Sequence, residues 1–177
     1  MFIGRKKELE SLNDLYCQRG FTMSVIYGRR RIGKSTLISE FLKDKPNIFY
    51  TATKAGSERN QAFFGMQVIE SLSPELSGLL FDSLESTLDY VTKALGETKL
   101  VLVIDELPYW AEKDTALLSI LQKYIDTQWL DKELMLILCG SSLSFMENKV
   151  LSEKSPVFGR RNSQIKLEAF NYREAAM

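Results

Sequence analysis

The sequence predicts an α/β fold, in which a parallel sheet carries helices on both faces and forms three layers. Apolar, β-favouring segments alternate with helical patterns along nearly all of the 177 residues. Two of these segments, Leu100–Ile104 and Leu134–Cys139, are continuous apolar runs of the kind that a parallel sheet buries on both faces. Chemically suggestive residues follow predicted strands directly, which places them at the edge of the sheet where such folds bind ligands.

The first third of the chain predicts two helices and two strands. Arg5–Gln18 has leucines at helical spacing and is followed by Gly20, so it predicts an amphipathic helix. Thr22–Tyr27 is a short β-favouring run. Lys34–Leu42 places its apolar residues on one helical face, and Ile48–Thr53 is rich in β-branched and aromatic residues, which predicts a second strand.

The rest of the chain continues the alternation. Ser57–Glu97 predicts two or three helical pieces, with breaks near Pro74 and Gly78. The two apolar strands follow, separated by a helix from Asp114 to about Trp129. A short helix at Leu143–Val150 and a last strand at Gln164–Leu167 complete the prediction.

Composition indicates one soluble domain and excludes several kinds of site. Hydrophobic residues make up 45% and charged residues 26% of the chain, and 23 basic residues balance 23 acidic ones, so net charge favours neither nucleic acid nor a membrane. The chain has no histidine, and its two cysteines lack zinc-site spacing. Its apolar runs are too short to span a bilayer, and the start lacks the apolar core of a signal peptide, so we expect a cytoplasmic, reducing location.

Gly28–Ser35 fits the pattern G-x-x-x-x-G-K-[ST] at every fixed position. Glycines allow such a loop to turn its N–H groups toward phosphate oxygens, and the helix that follows adds the positive end of its dipole. We expect Lys34 to reach the β- and γ-phosphates and the Ser35 hydroxyl to bind Mg²⁺. A chance match in a glycine-containing turn is the alternative, but the position between a predicted strand and a predicted helix favours the phosphate loop. Arg29–Arg31 either attract anions or have solvated or structural roles.

An acidic pair follows the apolar strand Leu100–Ile104. Asp105 is placed to hold Mg²⁺ through its water shell, and Glu106 projects differently and is placed to take a proton from the attacking water. The alternative is a charged turn after a buried strand. A hydroxyl of Ser141 or Ser142 after the next strand either bonds the γ-phosphate or the attacking water, or serves only in a turn.

Two arginines, Arg160 and Arg161, precede the last predicted strand. A cation there either stabilises charge on the phosphoryl group of its own or of a neighbouring subunit, or belongs to a surface pair.

Five motifs in this order resemble those of the archaeal-type predicted ATPases, a prokaryotic family related to the STAND and AAA+ classes. The resemblance covers essentially the whole chain. The motifs are Phe2-Ile3-Gly4-Arg5 with Glu8-Leu9, Tyr27–Ser35, Ile104–Tyr109, Leu138–Ser142 and Phe158–Arg161.

The resemblance implies a P-loop NTPase of the AAA+/ASCE type with strand order 5-1-4-3-2, ATP and Mg²⁺ as ligands, and Phe2–Arg5 next to the adenine. It makes Ser141 or Ser142 the sensor and Arg160 or Arg161 the arginine finger. Full members continue into a helical lid, a winged-helix domain and often a nuclease-like domain. Phe170–Ala175 resembles the start of the lid, so residues 1–177 are interpreted as the ATPase core without its lid, and DNA is expected to bind only through domains absent from the chain.

Three functions are weighed. The first is ATP hydrolysis that drives a conformational change in a larger protein, and the second is a slow nucleotide-gated switch that binds ATP or ADP. The third, a small-metabolite kinase, is disfavoured by the Asp105–Glu106 pair. A homo-oligomer and a separate protein partner both remain open. The candidate catalytic residues are Lys34, Glu106, Ser141 and Arg160; the candidate metal ligands are Ser35 and Asp105; and the candidate nucleotide-binding residues are Gly4, Arg5, Gly28, Arg29, Arg30, Arg31, Ile32, Gly33, Lys34, Ser35 and Thr36.

Overall fold

Five parallel strands form the centre of the molecule in a computed structural model that describes residues 4–169. The strands are β1 (Thr22–Tyr27), β2 (Asn47–Thr51), β3 (Leu100–Asp105), β4 (Leu134–Gly140) and β5 (Ser163–Lys166). The helices are α1 (Lys6–Cys17), α2 (Lys34–Leu42), α3 (Ser57–Leu72), α4 (Leu84–Ala94), α5 (Leu107–Ala111), α6 (Leu117–Tyr124) and α7 (Leu143–Phe145). A 3₁₀ turn covers Pro74–Leu76, and π-helical turns extend α6 and α7 over Ile125–Trp129 and Met146–Val150.

The strand order β2-β3-β4-β1-β5 confirms the predicted order 5-1-4-3-2. All neighbouring strands are parallel, and β4 lies between β1 and β3. Tyr27 at the end of β1 is in register with Gly140 at the end of β4, and Ile104 is in register with Leu138. The segments after these three strands therefore leave the sheet at one edge.

Helices cover both faces of the sheet, which explains why every residue of β1, β3 and β4 is buried. On one face α1 and α2 contribute core residues such as Leu12, Leu37 and Phe41. On the other face α3 to α6 contribute Phe64 and Trp110, both fully buried. Burial of each large apolar side chain contributes about 1.5–3 kcal/mol.

An aromatic cluster fixes the position of α5, the helix that follows β3. The ring centroids of Tyr50 and Phe64 lie 5.8 Å and 5.6 Å from that of Trp110, respectively. Tyr50 belongs to β2, Phe64 to α3 and Trp110 to α5. The cluster thus packs α5 against β2 and α3 just beyond the end of β3.

The structure differs from the predicted elements in a few places. Helix α5 was not predicted. The helix predicted to begin at Asp114 begins at Leu117, because the Asp114 carboxylate accepts a hydrogen bond from the amide of Ala116 at 3.1 Å and forms a turn. Strand β2 ends at Thr51 rather than at residue 53, where the backbone amide donates to the side chain of Asn60 at 2.8 Å.

Some predictions fall outside residues 4–169. The expected adenine contacts of Phe2 and Ile3 and the expected start of the lid at Phe170–Ala175 lie beyond the described residues. Within the described range, the helices lack the combination of length and apolar character that crossing a membrane requires.

Candidate nucleotide-binding site

The loop Gly28–Ser35 connects β1 to α2 as predicted, and its backbone requires glycine at specific points. Gly28 has φ 152° and Gly33, the N-cap of α2, has φ 90°. A Cβ atom on Gly28 would lie 2.4 Å from the carbonyl oxygen of Leu167, which follows β5. Arg31 also has a positive φ of 62°. These angles produce a tight loop at the N-terminus of a nine-residue helix, which is an arrangement suited to phosphate oxygens.

Lys34 places its charge inside this loop. The residue is 5% exposed, and its ammonium group donates hydrogen bonds to the carbonyl oxygens of Gly28 at 2.9 Å and Arg29 at 2.7 Å. The two carbonyls offset the cost of burying the ammonium group. The ammonium is therefore anchored against the backbone of the loop by two carbonyl oxygens.

Ser35 and Asp105 meet beside the loop. The Ser35 hydroxyl donates to Oδ2 of Asp105 at 3.0 Å, and the other carboxylate oxygen accepts the backbone N–H of Glu106 at 2.8 Å. The two oxygens are close enough that an ion held by the Ser35 hydroxyl would have the Asp105 carboxylate beside it to bond a water of its shell. In the part of the chain that the structure describes, no group of three or more acidic, cysteine or histidine side chains offers an alternative metal site. Mg²⁺ with few protein ligands is typical of sites where substrate phosphates supply the rest.

Glu106 lies next to Ser141 at the carboxyl edge of the sheet. Its backbone is left-handed, with φ 50° and ψ 37°, and it forms the N-cap of α5. For a residue other than glycine this conformation costs about 1–2 kcal/mol. The Ser141 hydroxyl donates to Oε2 of Glu106 at 2.8 Å. Ser142 instead caps α7, where its hydroxyl accepts the amide of Phe145 at 3.4 Å.

Cys139 lies beneath this cluster at the end of β4. Burial, and then the nearby Asp105 carboxylate, raise the pKa of the Cys139 thiol well above its usual value. Within the described residues both cysteines are free thiols, and Cys139 is the buried one. Cys139 is therefore a protonated core residue and not a nucleophile.

The remaining residues of the predicted nucleotide set lie around the same loop. Arg29, Arg30 and Arg31 are exposed, as are Ser35 and Thr36 at the start of α2. Arg30 donates a hydrogen bond to the hydroxyl of Tyr109, and its guanidinium lies 5.8 Å from the centroid of that ring.

Arg5 fastens the start of α1 to the loop. Its guanidinium pairs with Glu8 at 3.2 Å and donates to the carbonyl oxygens of Ile32, at 3.4 Å, and of Glu168. A cleft of about 350 Å³ lies alongside, lined by Arg29, Ile32, Leu143 and residues 166–169. Arg5 is thus bonded to the phosphate loop through Ile32, and the adenine contact that the resemblance implies for Gly4 and Arg5 stays a prediction.

Arg160 is not brought to this site. It precedes β5, whose first residue, Ser163, is in register with Ser24 near the start of β1. Its guanidinium forms two bonds with Asp126, at 2.8 Å and 2.7 Å, which lower the pKa of that carboxyl. Arg161 bonds the carbonyl oxygen of Leu151 at 3.3 Å. Since the amino edge of the sheet is opposite the phosphate loop, a finger role for Arg160 requires the nucleotide of another chain.

Two residues near the site were not predicted. Tyr109 lies between cations, with the Lys54 ammonium 5.3 Å from its ring centroid in addition to Arg30. Asn60 is fully buried and bonds the Tyr50 hydroxyl and the backbone of the loop between β2 and α3. A single polar residue on the otherwise apolar face of α3 was the signal that could have revealed Asn60.

Comparison with known proteins identifies the family of this chain and other proteins that share its fold. The chain is 29% identical over 178 residues to the uncharacterized protein MJECL04 of Methanocaldococcus jannaschii, covering 98% of this chain but 37% of that protein. Its fold is similar to the Walker-type ATPase paby2304 of Pyrococcus abyssi, with a TM-score of 0.73, 21% identity and coverage of 98% of this chain and 55% of that one. It is also similar to Cdc6p from Pyrobaculum aerophilum, with a TM-score of 0.67, 14% identity and coverage of 98% and 48%. The family model for an ATPase domain predominantly from Archaea matches residues 2–176, and the protein therefore belongs to that ATPase family.

Proposed function

We propose that this chain binds ATP with Mg²⁺ at the loop Gly28–Ser35, hydrolyses it, and uses the cycle to change the conformation of a larger protein of the AAA+/STAND type. The main support is one arrangement: Ser35 bonded to Asp105, and Ser141 bonded to Glu106, at the ends of three adjacent strands. The chain spans 37% of the length of its M. jannaschii relative, which is consistent with a core that acts within a longer protein.

The residues of the site have separate roles in hydrolysis. The loop amides and the N-terminus of α2 hold the phosphates, and the positive charge of Lys34 lies next to the oxygens of the β- and γ-phosphates. Ser35 and Asp105 would hold Mg²⁺, which neutralises charge that develops on the phosphates. Glu106 accepts a proton from the attacking water at a carboxylate oxygen, and Ser141 fixes the direction of that carboxylate.

A slow switch is the second candidate, and one observation favours it. Oε2 of Glu106 already accepts the Ser141 hydroxyl at 2.8 Å, so one of the two oxygens that could take the proton is engaged. If that bond persists with ATP bound, the protein would hold nucleotide and turn over rarely. Both candidates use the same pocket, and they differ in how much the rate depends on Glu106.

Single-turnover hydrolysis of Mg·ATP separates the two candidates. Loss of a general base typically costs about 10²–10⁴ in rate, so Glu106→Gln should lower the rate constant by that much while ATP affinity changes little. Glu112→Gln removes the same charge from an exposed position beyond α5 and is the matched control. A switch would lose little rate in Glu106→Gln. Failure of the wild-type protein to bind ATP at millimolar concentration would rule out both candidates.

We further propose that DNA is bound only through other domains, and that the chain works in the cytoplasm with reduced cysteines. The balance of 23 basic and 23 acidic residues supports weak or no duplex binding by this core. Tight, salt-sensitive binding of duplex DNA by residues 1–177 would contradict this view. A screen for phosphorylated metabolites tests the disfavoured kinase function.

A further inference from the structure

The outward face of α3 exposes large apolar side chains. Phe63 is 44% exposed and Met66 is 52% exposed, whereas Phe64 and Val68 on the opposite face are fully buried. Exposed apolar residues continue just after the helix at Leu76, Leu79 and Leu80. Phe63 and Met66 are three residues apart on one helix face, so they form an apolar pair that is available for contact with another molecule.

Two charged residues of opposite sign lie on either side of Phe63 and Met66, at equal distances along the helix. Arg59 lies four residues before Phe63, and Glu70 lies four residues after Met66, so the series reads Arg-Phe-Met-Glu about a midpoint between residues 64 and 65. All four are exposed, and at about 100° per residue they fall within a stripe roughly 60° wide. Neither Arg59 nor Glu70 forms an ion pair with another residue of the described range 4–169.

We propose that this stripe of α3 binds the same stripe of a second copy of the chain, with the two helices antiparallel. A two-fold axis at the midpoint places Arg59 of each copy against Glu70 of the other and Phe63 against Met66. The contact is self-complementary in both charge and apolar character, as an isologous interface requires. Sulfur–aromatic contact between Phe63 and Met66 is also favourable.

The order of the charges along α3 favours an antiparallel pair of helices over a parallel pair. A parallel pairing would place Arg59 against Arg59 and Glu70 against Glu70, so both ends would repel. In the antiparallel arrangement both ends attract over a stripe about 16 Å long. One helix face on each side is a small interface, so the dimer is a weak one, with a dissociation constant of roughly 10 μM to 1 mM.

Sedimentation velocity of the full chain over about 10 μM to 1 mM, without nucleotide, tests the proposal. The wild type should shift from monomer toward dimer across this range. Arg59→Glu alone and Glu70→Arg alone should each weaken association by about tenfold or more, because two attractive pairs become two repulsive ones. An equimolar mixture of the two variants should associate about as well as the wild type, since every contact is then between opposite charges.

Met66→Lys is the matched control, because it should weaken association and should not be restored by mixing with either charge variant. The substituted side chains are exposed, so each variant should keep the circular dichroism spectrum of the wild type. Wild-type protein that stays monomeric at about 1 mM overturns the proposal. A dimer that is insensitive to Arg59→Glu, or variants whose mixture associates no better than each alone, also overturns it.

Discussion

Replacing Gly140 by alanine tests whether the packing of α5 against the end of β4 determines the position of Glu106. A Cβ atom at residue 140 would lie 2.7 Å from Sδ of Met146 and 2.8 Å from Cδ of Pro108. Ordinary contacts between such atoms are about 3.5–4.0 Å, so each neighbour must move by roughly 1 Å. Met146 is fully buried but flexible, whereas the ring of Pro108 belongs to α5, two residues after Glu106.

The energetic cost follows from overpacking. One extra methyl group in a packed interior typically costs about 1–3 kcal/mol, which lowers the melting temperature by roughly 2–10 °C for a chain of this size. If the strain is relieved by moving α5, Glu106 moves with it. A displacement of this order in a catalytic group costs up to about 10²-fold in rate.

Thermal unfolding and single-turnover hydrolysis of Mg·ATP measure the two effects of Gly140→Ala. We expect a lower melting temperature, a rate constant reduced by about tenfold to a hundredfold, and ATP affinity within a few-fold of wild type, because the phosphate loop belongs to β1 and α2. Gly96→Ala is the control, since among residues 4–169, apart from its own chain neighbours, no atom lies within 4 Å of a Cβ atom there. A rate and melting temperature equal to those of Gly96→Ala, or equal losses in rate and ATP affinity, would refute the reasoning.

Three further outcomes follow from buried or paired groups. Asn60→Ala should lower the free energy of unfolding by about 2–4 kcal/mol in urea titrations, because it leaves a buried hydroxyl and backbone groups unpaired; a loss below about 1 kcal/mol would contradict this. In the native protein a thiol reagent should react with Cys17 alone, and Cys139 should react only after denaturation. Rapid reaction of both thiols in the native protein would be inconsistent with the burial of Cys139. The hydrogen bond to Arg160 lowers the pKa of the Asp126 carboxyl below its ordinary value of 3.8. The ion pair therefore stabilises the folded protein fully at pH values above 3.8, and this stabilisation is lost as the pH falls through the lower pKa of the folded state. The melting temperatures of wild type and Asp126→Asn should therefore differ slightly at pH 7 and converge in acid, and a constant difference would oppose this.

Local residue patterns predicted most of the sheet. The buried strands β3 and β4 are continuous apolar runs, and their ends were predicted to within one residue. Strand β1 and helix α2 were predicted with their observed ends, because the glycines of the phosphate loop mark both boundaries. The strand order depends on contacts between distant segments, so it came from the family resemblance and not from local patterns.

The details that were missed have physical causes. Helix α5 has five residues, too few for a helical period to be recognised, although Pro108 at its start is a typical helix-initiating residue. The bond between Ser141 and Glu106 joins residues 35 positions apart, and their spacing alone gives no sign of it. The position of Arg160 could have been inferred, because a residue just before a parallel strand lies at the amino edge of the sheet, away from the phosphate loop.

A crystal structure of the protein with a non-hydrolysable ATP analogue and Mg²⁺ tests the central claim most directly. We expect the phosphates to lie within hydrogen-bonding distance of the amides of residues 29–35, and one metal ion to face both the Ser35 hydroxyl and Asp105. A nucleotide bound elsewhere, or a metal ion that these two side chains do not approach, would contradict the account.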